Sequence, residues 1–221
     1  MFNNQHYFEY GETEIAWLKS RDKTLAAAID EIGHINRPVK PDLFEALIDS
    51  IVGQQISAKA HATVWGRIRE KVELFTPENI VAVPIDELQK CGISKRKAEY
   101  IKEAASVVAS GELDLNALHD MAENEVCKQL SQIKGIGVWA AEMLMTFSMQ
   151  RPNVMSIDDL AILRGLRMLY RHKKITLALF AKYKRRYSPY ATVASLYLWA
   201  IASGACPTLY DPAQKKVKAK E

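Results

Sequence analysis

The stretch Leu130-Ser131-Gln132-Ile133-Lys134-Gly135-Ile136-Gly137-Val138-Trp139-Ala140-Ala141 decides the fold. Two glycines two residues apart let the backbone turn sharply and come close to a partner. A helix starts directly after them, so its unpaired N–H groups and positive dipole end point out of the turn. That is an anion site made of backbone, suited to one phosphate. A tight turn between packed helices needs glycine for purely steric reasons as well, and the motif by itself leaves both readings open. Ile133 and Ile136 tuck the hairpin against its own helices, and Ala140 and Ala141 allow those helices to approach closely. Carbonyls left free in such a turn, those of Ser131, Ile133 and Ile136, can also hold a monovalent Na+ or K+ ion that bridges to phosphate.

Outward from this turn, nearly every segment carries helix punctuation. Glu123 to Ile133 and Val138 to Met149 are the two hairpin helices. Upstream, Asp22 precedes a run with Leu25, Ala28, Ile29 and Ile32 at helical spacing, closed by Gly33. Pro41 to Val52 places Leu43, Leu47, Ile48 and Ile51 on one stripe, and Ser57 caps a helix with Ala60, Val64, Ile68 and Val72 inward. Thr76-Pro77 and Val83-Pro84 start two short helices, and Ser94 starts another through Ala98, Ile101, Ala105 and Val108. Downstream follow Asp158 to Tyr170, Thr176 to Tyr187 and Ser188-Pro189 to Ser203. No segment alternates with period two over a convincing length, so the spacing predicts an all-α fold of about ten helices in two lobes.

Composition narrows the class without deciding it. The 221 residues are 48% hydrophobic and 25% charged, an ordinary globular balance with room for a core. No stretch reaches the roughly 18 uncharged apolar residues of a membrane span, and Met1 to Tyr10 has no apolar leader core. A soluble, intracellular protein with no membrane partner is expected, cytoplasmic or nucleoid-associated, or nuclear in a eukaryote. Cys91, Cys127 and Cys206 are odd in number and widely spaced, which fits neither a disulfide framework nor a zinc or iron–sulfur ligand set. The net charge of +4 permits an acidic partner but identifies none. Its placement says more: Lys95, Arg96, Lys97 and Lys102 cluster, as do Arg171, His172, Lys173 and Lys174, and Lys215, Lys216, Lys218 and Lys220 form a basic tail. Each of these also reads as a solvated face or a frayed end.

After the hairpin comes Ser156-Ile157-Asp158-Asp159-Leu160-Ala161-Ile162-Leu163-Arg164-Gly165-Leu166, a helix whose first turn carries two acids. On its own the pair reads as a cap and a dipole-complementing acid. Asp159 falls 22 residues after Gly137, however, and Gly-Ile-Gly-Val-Trp followed at that distance by an aspartate resembles the helix-hairpin-helix (HhH-GPD) DNA glycosylase superfamily, most of all its 3-methyladenine DNA glycosylase II, AlkA-like group. Ile51-Val52-Gly53-Gln54-Gln55-Ile56-Ser57, Gly92-Ile93-Ser94-Lys95-Arg96-Lys97-Ala98 and Ser195-Leu196-Tyr197-Leu198-Trp199 extend the resemblance over residues 43 to 200.

The resemblance implies one HhH-GPD unit over residues 1–221. A six-helix lobe would hold about 45–150, with the hairpin at 123–149. A second lobe would comprise about 1–44 and 151–221, with the active site between the two. It implies a monofunctional enzyme, a monomer on damaged double-stranded DNA, that flips out and excises 3-methyladenine-type alkylated bases in base excision repair. Asp159 becomes the catalytic carboxylate. Gly135, Ile136, Gly137 and Lys134 become backbone contacts, and Gln55 the wedge that fills the vacated stack, with Ile56 beside it. Trp139 and Trp199 become aromatic walls for a cationic base, while Trp17 and Trp65 read as core. Gln54 reads as a cap for a neighbouring helix end. In the bifunctional relatives a lysine stands two residues after the last hairpin glycine; Trp139 occupies that position here, so water is the expected nucleophile. The four-cysteine cluster of endonuclease III-like relatives is missing from the C-terminal region, so no iron–sulfur cluster and no required cofactor are expected. Two alternatives stay open: a glycosylase for oxidised, deaminated or mismatched bases, and a non-catalytic helix-hairpin-helix DNA-binding module.

Overall fold

The computed structural model describes residues 5–72 and 74–213, so the basic tail at Lys215, Lys216, Lys218 and Lys220 lies outside the described residues. In chain order the described residues form β1 (His6–Tyr7), α1 (Glu12–Arg21), α2 (Lys23–Ile32), β2 (Pro38–Val39), α3 (Leu43–Gly53), α4 (Ala58–Lys71), α5 (Pro77–Ala82), α6 (Ile85–Lys90), α7 (Lys95–Ala109), a 3-10 turn (Ala117–Asp120), α8 (Glu123–Leu130), α9 (Val138–Phe147), α10 (Leu160–Tyr170), α11 (Leu177–Tyr187) and α12 (Ala191–Ala202). The fold is all-α. The two strands pair with each other but are two residues long, too short to leave an alternating pattern in the sequence. Two compact units result, one from residues 1–38 with 150–221 and one from residues 39–149.

In the first unit α12 is apolar on every side and buries ten of its twelve residues, from Ala191 to Leu198 with Ile201 and Ala202, as a helix surrounded by others must. Against it lies α10. Gly165 makes that approach possible, because a Cβ there would sit 2.4 Å from the Leu198 carbonyl oxygen. Asp22 fastens α2 to the rest. Its Oδ1 accepts from the Thr24 and Leu25 N–H groups, the cap that its place in the sequence predicts, and its Oδ2 accepts from Tyr170 Oη at 2.8 Å and from Arg186. Burial alone would raise this carboxyl, but the Leu25 N–H, Arg186 and Tyr170 together hold it below the usual carboxylate range.

The second unit is built around α3, which buries Leu43, Phe44, Ala46, Leu47, Ile48, Ile51 and Val52, and packs against the Ala98, Ile101 and Ala105 face of α7. Among its described residues it holds seven α-helices, the short α5 and α6 included. In α4, Val64 and Ile68 are buried, as is Val72 directly after it, whereas Ala60 is exposed in the first turn. The two tryptophans expected in the core are not there. Trp17 is 36% exposed, with the Arg21 guanidinium 4.8 Å from its ring, and Trp65 is half-buried under the Lys40 ammonium. Both have a cation near the ring face, and Trp65 also packs on Phe75, 5.3 Å between ring centroids.

Candidate active site

Asp159 is the N-cap of α10, so the local reading of this aspartate is correct. Its Oδ1 accepts from the Ala161 and Ile162 N–H groups, each at 2.9 Å, and from the Trp199 indole N–H at 3.1 Å. The residue is buried, 7% exposed, at the positive end of a helix. Three donors on one oxygen leave the carboxylate little freedom to turn. Its neighbour Asp158 is exposed and Leu160 is 80% exposed, so of the two acids only the second is locked in place.

What delivers Asp159 to this position is α12. Thr192 Oγ1 donates to the Arg151 carbonyl at 2.5 Å and accepts from the Val154 N–H at 2.8 Å, while the Thr192 N–H donates to the Pro152 carbonyl. Two turns further on, Trp199 reaches Asp159. One helix therefore pins both the lead-in segment and the carboxylate. The Arg37 guanidinium lies 6.0 Å from the Trp199 ring. Trp199, expected as a wall of the base pocket, is thus half-buried and engaged with the carboxylate through its polar edge.

The hairpin lies in the other unit, between α8 and α9. Gly135 adopts φ +90°, and a Cβ there would meet Tyr100 Cδ2 at 2.6 Å, so both the backbone conformation and the space require glycine. Gly137 has φ −89° and is the N-cap of α9; a Cβ there would meet nothing within 4 Å. Ile133 and Ile136 are buried, as are Ala140 and Ala141. Lys134 is exposed and pairs with Glu103 at 2.9 Å. The Ile133 carbonyl already accepts from the Ile136 N–H at 2.9 Å, so a cation there would use its second lone pair. The expected donor set of Ser131, Ile133 and Ile136 carbonyls is neutral oxygen, which suits a hard monovalent ion and no soft metal.

Gln55 is exposed with φ +57°, a left-handed conformation that costs a non-glycine residue about 1 kcal/mol, and Ile56 beside it is 38% exposed. A recess of about 650 Å³ in this unit is lined by Gln54, Gln55, Gly135, Gly137, Trp139 and Met143, with Asp49 and His61 at its side. The expected wedge, hairpin and Trp139 therefore meet around one space, with Trp139 47% exposed. Trp139 and Trp199 belong to different units.

Three features of this region escaped the sequence. Gln54 Nε2 donates to the Gly135 carbonyl at 2.6 Å, across 81 residues, so its side-chain amide ties the loop after α3 to the hairpin turn and not to a helix end. Lys97 and Lys102, read as half of a solvated basic cluster, turn inward: Lys97 donates to the Val52 and Gln54 carbonyls, and Lys102 to those of Val81 and Val83. Desolvation lowers both ammonium groups below their usual range. His61 Nε2 lies 2.8 Å from Asp49 Oδ1, whose other oxygen takes the Lys40 ammonium at 2.6 Å. The spacing of Asp49 and His61 across two helices carries no signal that a sequence reading could use.

Residues 48–188 match the HhH-GPD superfamily of base excision DNA repair proteins. Over 165 residues, 72% of each chain, the sequence is 35% identical to DNA-3-methyladenine glycosylase 1 of Schizosaccharomyces pombe. The crystal structure of a DNA-3-methyladenine glycosidase from Bacillus halodurans is similar with a TM-score of 0.82 and 38% identity, covering 89% of this chain and 92% of that one. The Schizosaccharomyces pombe 3-methyladenine DNA glycosylase in complex with abasic DNA gives a TM-score of 0.74 at 30% identity, covering 87% and 97%. With a capped, buried aspartate after a glycine hairpin, and with that match across most of its length, this chain belongs to the HhH-GPD superfamily of base excision DNA repair proteins.

Proposed function

We propose that the protein is a monofunctional DNA glycosylase that extrudes an alkylated, 3-methyladenine-type base from duplex DNA and hydrolyses its N-glycosidic bond. The observation that carries this reading is the Asp159 carboxylate, fixed by two backbone N–H groups and the Trp199 indole. Breaking the glycosidic bond builds positive charge on the sugar, and an anion held still at the reacting carbon stabilises that charge without reorganising. Asp159 can also orient the attacking water. An alkylated purine already carries positive charge and leaves readily, so no strong general acid is needed. The names of the relatives support the substrate class.

Extrusion falls to the other unit. A buried base hides its glycosidic bond, so the nucleotide must leave the stack, and Gln55 with Ile56 fills the space it vacates. Gly135 and Gly137 offer backbone N–H groups to one phosphate, with Ile136, whose own N–H is spent on the Ile133 carbonyl, holding the turn between them and Lys134 beside them, and Trp139 gives an aromatic face to a cationic base. A monovalent cation on the Ser131, Ile133 and Ile136 carbonyls would add positive charge next to that phosphate. The chain acts as a monomer wherever the cell keeps its DNA, and among the described residues no helix is long and apolar enough to cross a membrane.

Incubation with duplex DNA methylated by a simple alkylating agent, followed by identification of the free bases released, tests the reading. Release of 3-methyladenine or 7-methylguanine is the expected result. Release of oxidised or mismatched bases alone, or binding without any release, would overturn it in favour of the two alternatives.

A further inference from the structure

The two loops that this reading sends to DNA are fixed by one helix. Lys97 and Tyr100 are three residues apart on α7 and so share a face. The Lys97 ammonium donates to the Val52 carbonyl at 2.8 Å and to the Gln54 carbonyl at 2.5 Å, which closes the C-terminal end of α3 one residue before Gln55. The Tyr100 ring lies where a side chain on Gly135 would be, 2.6 Å from such a Cβ, and so sets the floor of the hairpin turn. Gln54 completes the circuit, since its backbone carbonyl takes the Lys97 ammonium while its side-chain amide donates to the Gly135 carbonyl.

We infer that Lys97 is a positioning residue for nucleotide extrusion: by binding the carbonyls on either side of the α3 terminus it holds Gln55 in its left-handed conformation and at a fixed distance from the hairpin. Gln55 needs such a constraint, because a non-glycine residue at φ +57° relaxes to negative φ when nothing prevents it. The α3 end also needs a cation. Its last carbonyls lack intrahelical partners and carry the negative end of the helix dipole, and an ammonium satisfies two of them at once. Packing alone does not account for the arrangement, since a lysine stem with an apolar end would leave both carbonyls unsatisfied. The inference rests on the reading of Gln55 as the wedge. It adds that the wedge is pre-set by α7 and is not ordered by DNA.

The test separates extrusion from chemistry. In an Asp159→Asn background, which binds without excising, a 2-aminopurine placed next to an alkylated base reports unstacking by its fluorescence. The chain with Lys97 intact is expected to raise the signal on binding. Lys97→Met should lose most of that rise while its affinity for undamaged duplex stays close to that of the parent and its melting temperature falls only by what two unmet carbonyls cost, and Lys97→Arg should recover it. In the excising protein, Lys97→Met should slow release from a paired lesion by about tenfold relative to release from the same lesion opposite a gap, and adding Gln55→Ala should cost no more than Gln55→Ala alone. A full fluorescence rise in Lys97→Met overturns the inference, and so do equal losses on paired and gapped lesions, or losses that add. No rise with Lys97 intact would overturn the extrusion reading itself. Gln54→Ala, which keeps the Lys97 contacts and removes the tie to Gly135, gives a second variant if Lys97→Met does not fold, with an intermediate loss expected.

Discussion

The Trp199 indole N–H lies 3.1 Å from Asp159 Oδ1, within the same unit, so an aromatic side chain expected to face a base is also a ligand of the carboxylate. Trp199→Phe keeps the ring and deletes the donor. A hydrogen bond to a charged group is worth about 1.5–3 kcal/mol, so excision should fall by about tenfold to a hundredfold. The melting temperature should drop by only a few degrees. Single-turnover release of methylated bases measures the first effect, and an unchanged rate would show that the indole contact is incidental.

Asp159 serves two purposes that one substitution can separate. Asn caps a helix as well as Asp does, so Asp159→Asn should leave stability within about 1 kcal/mol of the parent while removing base excision by a hundredfold or more. Binding to lesion-bearing DNA should persist or tighten, because no phosphate contact is lost. Asp159→Ala should lose both the activity and about 1 kcal/mol of stability. If the activity loss followed Asp158→Asn instead, the exposed neighbour would be the reacting acid.

The two hairpin glycines should behave differently. Gly135→Ala forces φ +90° on an alanine and drives its Cβ into Tyr100, so it should destabilise the hairpin by about 1 kcal/mol or more, with partial relief in a Tyr100→Ala background. Gly137→Ala meets no protein atom within 4 Å and should melt normally. It should nonetheless weaken binding to all duplexes alike, since the space it fills is where a phosphate would approach. Titrations with damaged and undamaged duplexes decide this, and a loss confined to one lesion would move the hairpin into the base pocket.

Borohydride present during turnover should trap no protein–DNA crosslink. Trp139 stands where a lyase needs an amine, and an indole forms no imine with the sugar. A trapped band on a denaturing gel that disappears in Lys134→Ala would return the strand-cleaving step to this protein.

Acid should attack the first unit through Asp22. Its folded pKa is depressed, so its contribution is fully present above the unfolded carboxylate pKa and is lost as the pH falls through the folded value. Melting temperatures measured from neutral pH to about pH 3 should fall steeply in the parent protein. Asp22→Asn should start lower and fall less. An unchanged slope would mean that the Arg186 and Tyr170 contacts do not stabilise the charged form.

Most helices were legible because each carries its own start signal: Asp22, Ser57, Thr76, Ser94 and Thr176 all accept backbone N–H bonds at the expected N-caps. Helix α1 was not legible. It begins after Gly11 and buries only Leu18, so it leaves no stripe to detect. The twelve-residue α12 was visible as an apolar run, but its grip on Asp159 was not, because a tryptophan forty positions away announces no partner. The same holds for Gln54 and Lys97. Their sequence positions suggested a cap and a solvated cation, and only the tertiary packing of the α3 end against α7 and the hairpin reveals which carbonyls they reach.

The inward turn of Lys97 and Lys102 also changes how strongly the protein should respond to salt. Each phosphate neutralised on duplex DNA releases condensed counterions and steepens the fall of log affinity with log salt by about 0.9. Four cations crowd into the Lys95 to Lys102 stretch, yet two are committed to backbone carbonyls and are not available to neutralise a phosphate. Only Lys95 and Arg96 face solvent there. That surface should therefore contribute a slope of about two at most and not four, and the grip on DNA should survive rising ionic strength better than its tally of lysines implies.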